Sequence, residues 1–155
     1  MKKLLIATAT LTILAAPALA EGEATETTTE AAAVEMTFSG DVAKGEKGFK
    51  KCKSCHTVEA PDGTKIVKGG KTGPNLYGVM GRQAGSVEGF KYSDSLVAAG
   101  DGGLVWTEET FVGFTQNPKD YLKEVTGDSK AKSKMTFKLK KGGEDIAAFL
   151  ASVVQ

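Results

Sequence analysis

The chain has 155 residues, 41% of them apolar, with 20 basic and 19 acidic side chains. That length fits one domain. Past residue 20 no stretch is long or apolar enough to span a bilayer, and two cysteines with a single histidine exclude a four-ligand zinc site built from those residues alone.

The N-terminus reads as an export signal. Lys2 and Lys3 precede an apolar run from Leu4 to Ala16, Pro17 ends it, and Ala18-Leu19-Ala20 supplies the small residues that a signal peptidase recognises. Cleavage is expected after Ala20. A retained membrane anchor is the alternative, since the run reaches the lower limit for a spanning helix. Residues 21–36 are almost entirely Glu, Thr and Ala. Glu21, Glu23, Glu26, Glu30 and Glu35 meet no basic residue there. Such a segment has too little apolar surface to offset the entropy of ordering it, and is expected to be a solvated leader.

Removing both segments leaves residues 37–155 as the domain, with 18 basic against 14 acidic side chains. Its lysines cluster. Lys44, Lys47, Lys50, Lys51 and Lys53 form one group; Lys130, Lys132, Lys134, Lys138, Lys140 and Lys141 form another with no acid between them. Solubility accounts for any single lysine. Two clusters beside one site point to steering toward an acidic partner.

Val42, Gly45, Phe49 and Cys52 recur at helical spacing and predict a helix near 41–54. At its end stands Cys52-Lys53-Ser54-Cys55-His56. A Cys-x-x-Cys-His run reads as a covalent haem attachment site. Two thiols one turn apart can each add to a vinyl group on one edge of the macrocycle, and the adjacent imidazole then falls beneath the iron. A zinc site would need a carboxylate to complete it. A thioredoxin-like pair would need a βαβ context, and a plain disulfide leaves His56 unexplained.

Residues 57–90 carry eight glycines with Pro61 and Pro74 and show no sustained period. They are expected to be loop, with turns at Asp62-Gly63 and Gly69-Gly70. Ser93 is placed to cap a short helix ending before Gly100. Thr107, followed by Glu108 and Glu109, is placed to cap one that runs to about Gln116. Asn117-Pro118 restarts the chain with Asn as cap and Pro at the first helical position. Ile146, Phe149, Leu150 and Val153 follow i, i+3, i+4, i+7, with Glu144 and Asp145 at the positive end of that last helix. The expected fold is all-α, small, with long loops and a thin core that a buried haem would fill out.

Met36, Met80, Met135 or a lysine could supply a sixth iron ligand, because there is no second histidine. Spacing alone leaves that choice open. It favours Met135, an apolar residue in the lysine-rich run Lys134-Met135-Thr136-Phe137.

Over residues 40–153 the chain resembles a class I c-type cytochrome, of the bacterial cytochrome c2 type related to the mitochondrial protein. The resemblance lies in Gly45 and Phe49 before the pentad, Thr72-Gly73-Pro74-Asn75-Leu76-Tyr77-Gly78, Gly81-Arg82, Phe90-Lys91-Tyr92-Ser93 and Leu104-Val105-Trp106. Asn117-Pro118, Lys134-Met135-Thr136-Phe137 and the run Glu144 to Leu150 complete it. It implies haem c held by Cys52 and Cys55, with His56 and Met135 as axial ligands. It implies a hydrogen bond from the free ring nitrogen of His56 to the Pro74 carbonyl. Arg82, Tyr92, Ser93, Trp106 and Ser133 match positions that contact the haem propionates, and Phe137 one beside the exposed haem edge. Gly45 and Phe49 should pack on Ile146 and Phe149. Two departures stand out. Phe114 occupies a position where the family often has tyrosine near the methionine sulfur. Lys123–Lys132 looks like an insertion that makes the methionine loop harder to place.

The function so implied is a periplasmic mono-haem electron carrier of a Gram-negative bacterium, not an enzyme. It would be a monomer with no nucleic-acid partner and no stable membrane insertion. By resemblance its donor is a quinol–cytochrome c oxidoreductase, and its acceptor a terminal oxidase or photosynthetic reaction centre. A haem enzyme or gas sensor with a displaceable sixth ligand is the competing expectation.

Overall fold

The computed structural model describes residues 36–154. The expected signal segment and nearly all of the acidic leader lie outside them. Met36, the last leader residue, lies inside, and its terminal methyl lies against Gly81.

Five helices follow in chain order: α1 (Val42–Gly48), α2 (Asp94–Asp101), α3 (Glu108–Gln116), α4 (Pro118–Thr126) and α5 (Gly143–Ser152). Asp41 caps α1 by accepting from the Lys44 N–H at 2.9 Å. The periodic stretch predicted as one helix tightens after Gly48 into a 3-10 turn over Phe49–Lys51. The turns then continue through the pentad, with the Lys53 N–H donating to the Phe49 carbonyl and the His56 N–H to that of Cys52.

The 57–90 stretch is not loop throughout. Strands β1 (Val58–Glu59) and β2 (Lys65–Val67) pair antiparallel with an irregular register. The expected Asp62-Gly63 turn closes this hairpin. The Asp62 carboxylate accepts from the Thr64 N–H at 2.8 Å, and Gly63 adopts φ +86. Strands of two and three residues are too short to show alternation in the sequence. Gly69-Gly70 makes a close approach to the pentad: a side chain at either position would run into backbone carbonyls of residues 53–56.

Helix α2 runs through Gly100 to Asp101, past its expected end. Gly100 is buried, and a Cβ there would meet the Ala84 carbonyl, so this glycine serves packing and not termination. Thr107 and Thr110 form a reciprocal cap on α3. Asn117 does not cap α4. Its amide donates to the Asp120 carboxylate, and Pro118 starts the helix. The expected insertion at Lys123–Lys132 is the last turn of α4, a left-handed Gly127 and a turn in which the Asp128 carboxylate accepts from the Lys130 N–H at 2.8 Å.

The core forms where α5 crosses α1. Ile146 and Leu150 are fully buried, and the Phe49 and Phe149 rings pack at a tilt of 56° with centroids 5.7 Å apart. Gly45 lets the two backbones meet: a Cβ there would lie 2.8 Å from that of Phe149. Beside this crossing, Trp106, Phe114 and Tyr121 form an aromatic row with centroid distances of 5.1 and 6.2 Å. Among the described residues no helix is long and apolar enough to cross a membrane.

Candidate haem site

The pentad follows directly from α1 and its 3-10 turn, so the first helix, docked on α5, sets its position. Cys52 is half-buried against the core and Cys55 is exposed. Burial pushes the Cys52 thiol up to about 11. Hydrogen bonds from Thr72 and Ser54 hold Cys55 below its ordinary value. A disulfide-exchange cysteine is a depressed thiolate, usually at a helix N-terminus. Here Cys52 is raised and Cys55 lowered, and both follow the C-terminal end of a helix and do not sit at a helix N-terminus.

The segment from Gly69 to Leu76 is laid along the pentad by three backbone bonds. The N–H groups of Gly70, Gly73 and Leu76 donate to the carbonyls of Lys53, Cys55 and Thr57 at 2.9, 2.8 and 3.0 Å. This closure brings the Pro74 carbonyl within 2.8 Å of His56 Nδ1. A carbonyl can only accept, so Nδ1 carries the proton and Nε2 is left with its lone pair, the form that binds a metal. Burial lowers the basicity of His56, opposed by the bond to Pro74. Burial, the larger effect, favours the neutral imidazole, and the bond to Pro74 orients it. Gly73 lies against the ring itself; a Cβ there would be 2.6 Å from Nδ1.

Arg82 is half-buried, and burial lowers its basicity. Its guanidinium donates to the carbonyls of Tyr77 at 3.0 Å and Asn75 at 3.1 Å. It takes part in none of the ion pairs among the described residues. Tyr92 is close enough to feel its charge, although burial dominates and raises the phenol. Trp106 is buried in the aromatic row.

Ser93 caps α2, accepting from the Leu96 N–H at 3.3 Å. Ser133 accepts from the Met135 N–H at 3.1 Å. Met135 is half-buried against the core, and Phe137 is 41% exposed. Met80 also packs on the core. Phe114 is buried between Trp106 and Tyr121.

These residues fit a covalent haem. Two sulfurs stand one turn apart, an imidazole has one nitrogen engaged, and a thioether lies on a core edge. A half-buried guanidinium without a carboxylate partner matches an anionic substituent. Two residues of the 72–78 motif carry roles that the sequence does not reveal. Asn75 ties the hairpin to the Pro74 segment: its amide donates to the Glu59 carbonyl at 2.7 Å, and its oxygen accepts from the N–H groups of Glu59 and Tyr77 at 3.0 and 3.1 Å. Gly73 leaves room for the His56 ring. Their signal was adjacency to Pro74, but neither contact can be read without the chain closure.

No family model matches the chain. Cytochrome c2 of Rhodobacter capsulatus is 62% identical over 118 residues, spanning 76% of this chain and 86% of that protein. Cytochrome c-550 of Paracoccus pantotrophus is 62% identical over 114 residues, spanning 72% and 85%. The solved structure of cytochrome c2 from Rhodobacter capsulatus matches with a TM-score of 0.73 at 62% identity, over 75% of this chain and all of that one. That of cytochrome c2 from Paracoccus denitrificans matches with a TM-score of 0.71 at 53% identity, over 73% and 95%.

The fold and its pentad are those of a class I c-type cytochrome. Within that class the chain belongs to the cytochrome c2 family. It is a mono-haem electron carrier with covalently bound haem c, an electron-transfer protein and not an enzyme.

Proposed function

We propose that Cys52 and Cys55 hold the haem through thioether bonds, that His56 Nε2 and the Met135 sulfur are its axial ligands, and that the protein shuttles single electrons in the periplasm of a Gram-negative bacterium. The observation that supports this reading is the hydrogen bond from His56 Nδ1 to Pro74, which leaves the lone pair of the opposite nitrogen available to a metal. The haem iron supplies the one-electron couple.

The protein's own groups set the conditions for it. A thioether opposite an imidazole favours a higher potential than two nitrogen ligands. Arg82, with Tyr92, Ser93, Trp106 and Ser133, would hold the propionates, and the guanidinium would balance their charge. Phe137, exposed two residues from Met135, would flank the exposed haem edge. No side chain has to act as acid, base or nucleophile.

All lysines of the two clusters are exposed. They steer the carrier onto acidic faces of a quinol–cytochrome c oxidoreductase and of a terminal oxidase or photosynthetic reaction centre. Export rests on the signal pattern of residues 1–20 and removal after Ala20.

Met135→Ala tests the reading. It should lower the potential and open the iron to carbon monoxide; an unchanged visible spectrum would assign the ligand elsewhere. Ready binding of carbon monoxide to the reduced native protein would overturn the closed-carrier reading in favour of a gas-binding or catalytic haem. Electron-transfer rates with membrane complexes should fall as salt rises. A salt-independent rate would leave the lysines a solubilising role only.

A further inference from the structure

The segment that carries Met135 is pinned to α2 from outside its own loop. Ser95, in the first turn of α2, accepts a hydrogen bond from the Lys132 N–H at 3.0 Å, across 37 residues of chain. Two residues on, Lys134 Nζ donates to the Lys91 carbonyl at 2.8 Å. The segment is also anchored at both shoulders. Ala131 and Leu139 are 1% and 4% exposed, and the Leu139 N–H donates to the Thr115 carbonyl at 2.8 Å. Between those anchors no residue from 132 to 138 is buried. Core packing holds the ends and touches Met135 between them, and two hydrogen bonds to residues 91–95 tie down the Ala131–Lys132 peptide and the Lys134 side chain.

Ser95 is free for this task because Ser93, two residues earlier, supplies the helix cap. Its hydroxyl is not spent on its own helix and reaches across to another part of the chain. The group it holds is a backbone N–H three residues before Met135. A thioether is a neutral, weak ligand, so whether it stays on a metal depends on how firmly its backbone is held.

We propose that Ser95 is a positioning residue for Met135: its hydroxyl latches the methionine segment to α2 and opposes release of the sulfur from the iron. The inference rests on the reading of Met135 as axial ligand. Losing the latch lowers the cost of swinging the segment out while leaving the α1–α5 core intact.

The test is displacement of the sulfur by added imidazole in the oxidised holoprotein. Displacement is followed through the charge-transfer absorption of the iron–sulfur bond, with global unfolding in urea measured in parallel by circular dichroism. Ser95→Ala should raise the apparent imidazole affinity about 2- to 10-fold, the worth of one hydrogen bond, with a smaller change in the global midpoint. Ser95→Thr, which keeps the hydroxyl, should return the parent affinity. Ser86→Ala removes a hydroxyl that accepts nothing from this segment and donates to the Gln83 carbonyl; it should change nothing. An unchanged imidazole affinity in Ser95→Ala overturns the latch, as does an equal rise in Ser86→Ala or a rise matched in full by loss of global stability. Absence of the iron–sulfur absorption in the parent overturns the Met135 reading itself, and is seen before any substitution is made.

Discussion

His56 and Gly73 meet face to face: the glycine backbone lies so close to the imidazole that a Cβ would stand 2.6 Å from Nδ1 and 2.8 Å from Nε2. The next residue, Pro74, offers its carbonyl to that same Nδ1 at 2.8 Å. One glycine therefore grants the approach and one carbonyl sets the orientation, and both come from the segment that backbone bonds lay along the pentad.

Gly73→Ala should consequently destabilise the holoprotein by about 1–3 kcal/mol, because the methyl must push either the ring or its own backbone aside. Gly63→Ala makes a useful contrast. Nothing lies within 4 Å of a Cβ there, but φ is +86, so the loss should be about 1–2 kcal/mol from backbone strain alone. Chemical denaturation monitors both, and only the Gly73 variant should also alter the visible spectrum.

At the helix crossing, Gly45→Ala should cost about 2–3 kcal/mol, since the added carbon meets the Asp145 backbone and the Phe149 Cβ, neither of which can move without parting α1 from α5. Gly48→Ala, three residues on, meets only the Ile146 side chain, Cγ1 at 3.3 Å and Cδ1 at 3.5 Å. It should stay within about 1 kcal/mol of the parent, the strain offset by better helix propensity. Equal losses in the two variants, measured by urea titration, would contradict the crossing geometry.

Arg82→Leu should remove about 1.5–3 kcal/mol, the usual worth of hydrogen bonds to a charged group, because the carbonyls of Asn75 and Tyr77 lose their shared donor. Arg82→Lys should recover only part of this, since an ammonium lacks the planar fork that spans two acceptors. Thermal unfolding of the three proteins gives the order.

The Asp41 carboxyl is held below its ordinary value of 3.8, chiefly by the bond from the Lys44 N–H. A depressed carboxyl contributes stability that is present above 3.8 and is lost as pH falls through its lower folded value. The stability gap between the parent and Asp41→Ala should thus be constant near neutral pH and narrow only below 3.8. Asp41→Asn should retain much of the cap without this acid-dependent loss. Urea midpoints across that range report the difference.

The local signals proved legible where one stretch of chain contains the whole cause. Ser93 and Thr107 cap helices because a side-chain oxygen and the N–H three residues later are neighbours in any chain that turns there. Asn117 carries the same signal and does not cap: its NH2 donates to Asp120, and its oxygen, the atom that would cap, is turned away from the helix N–H groups and has no partner among the described residues. The helix through Gly100 shows the opposite error. Glycine reads as a stop, but here the absent side chain admits the Ala84 carbonyl. The hairpin at 58–67 is silent in the sequence because strands this short leave no alternation to count.

By itself the sequence determined the attachment pentad, the helix starts and the charge clusters, since these rest on covalent spacing within a few residues. It also narrowed the sixth ligand to a handful of side chains. The resemblance implied the bond from His56 to Pro74, but the tertiary structure supplies its geometry, and only the tertiary structure decided that Gly73 clears the ring and that Ser95 accepts from the Lys132 N–H. Each of those contacts joins residues 17 to 37 positions apart. Such a contact exists only once the chain has closed on itself, and the burial that drives closure belongs to the α1–α5 core, not to the residues that meet at the site.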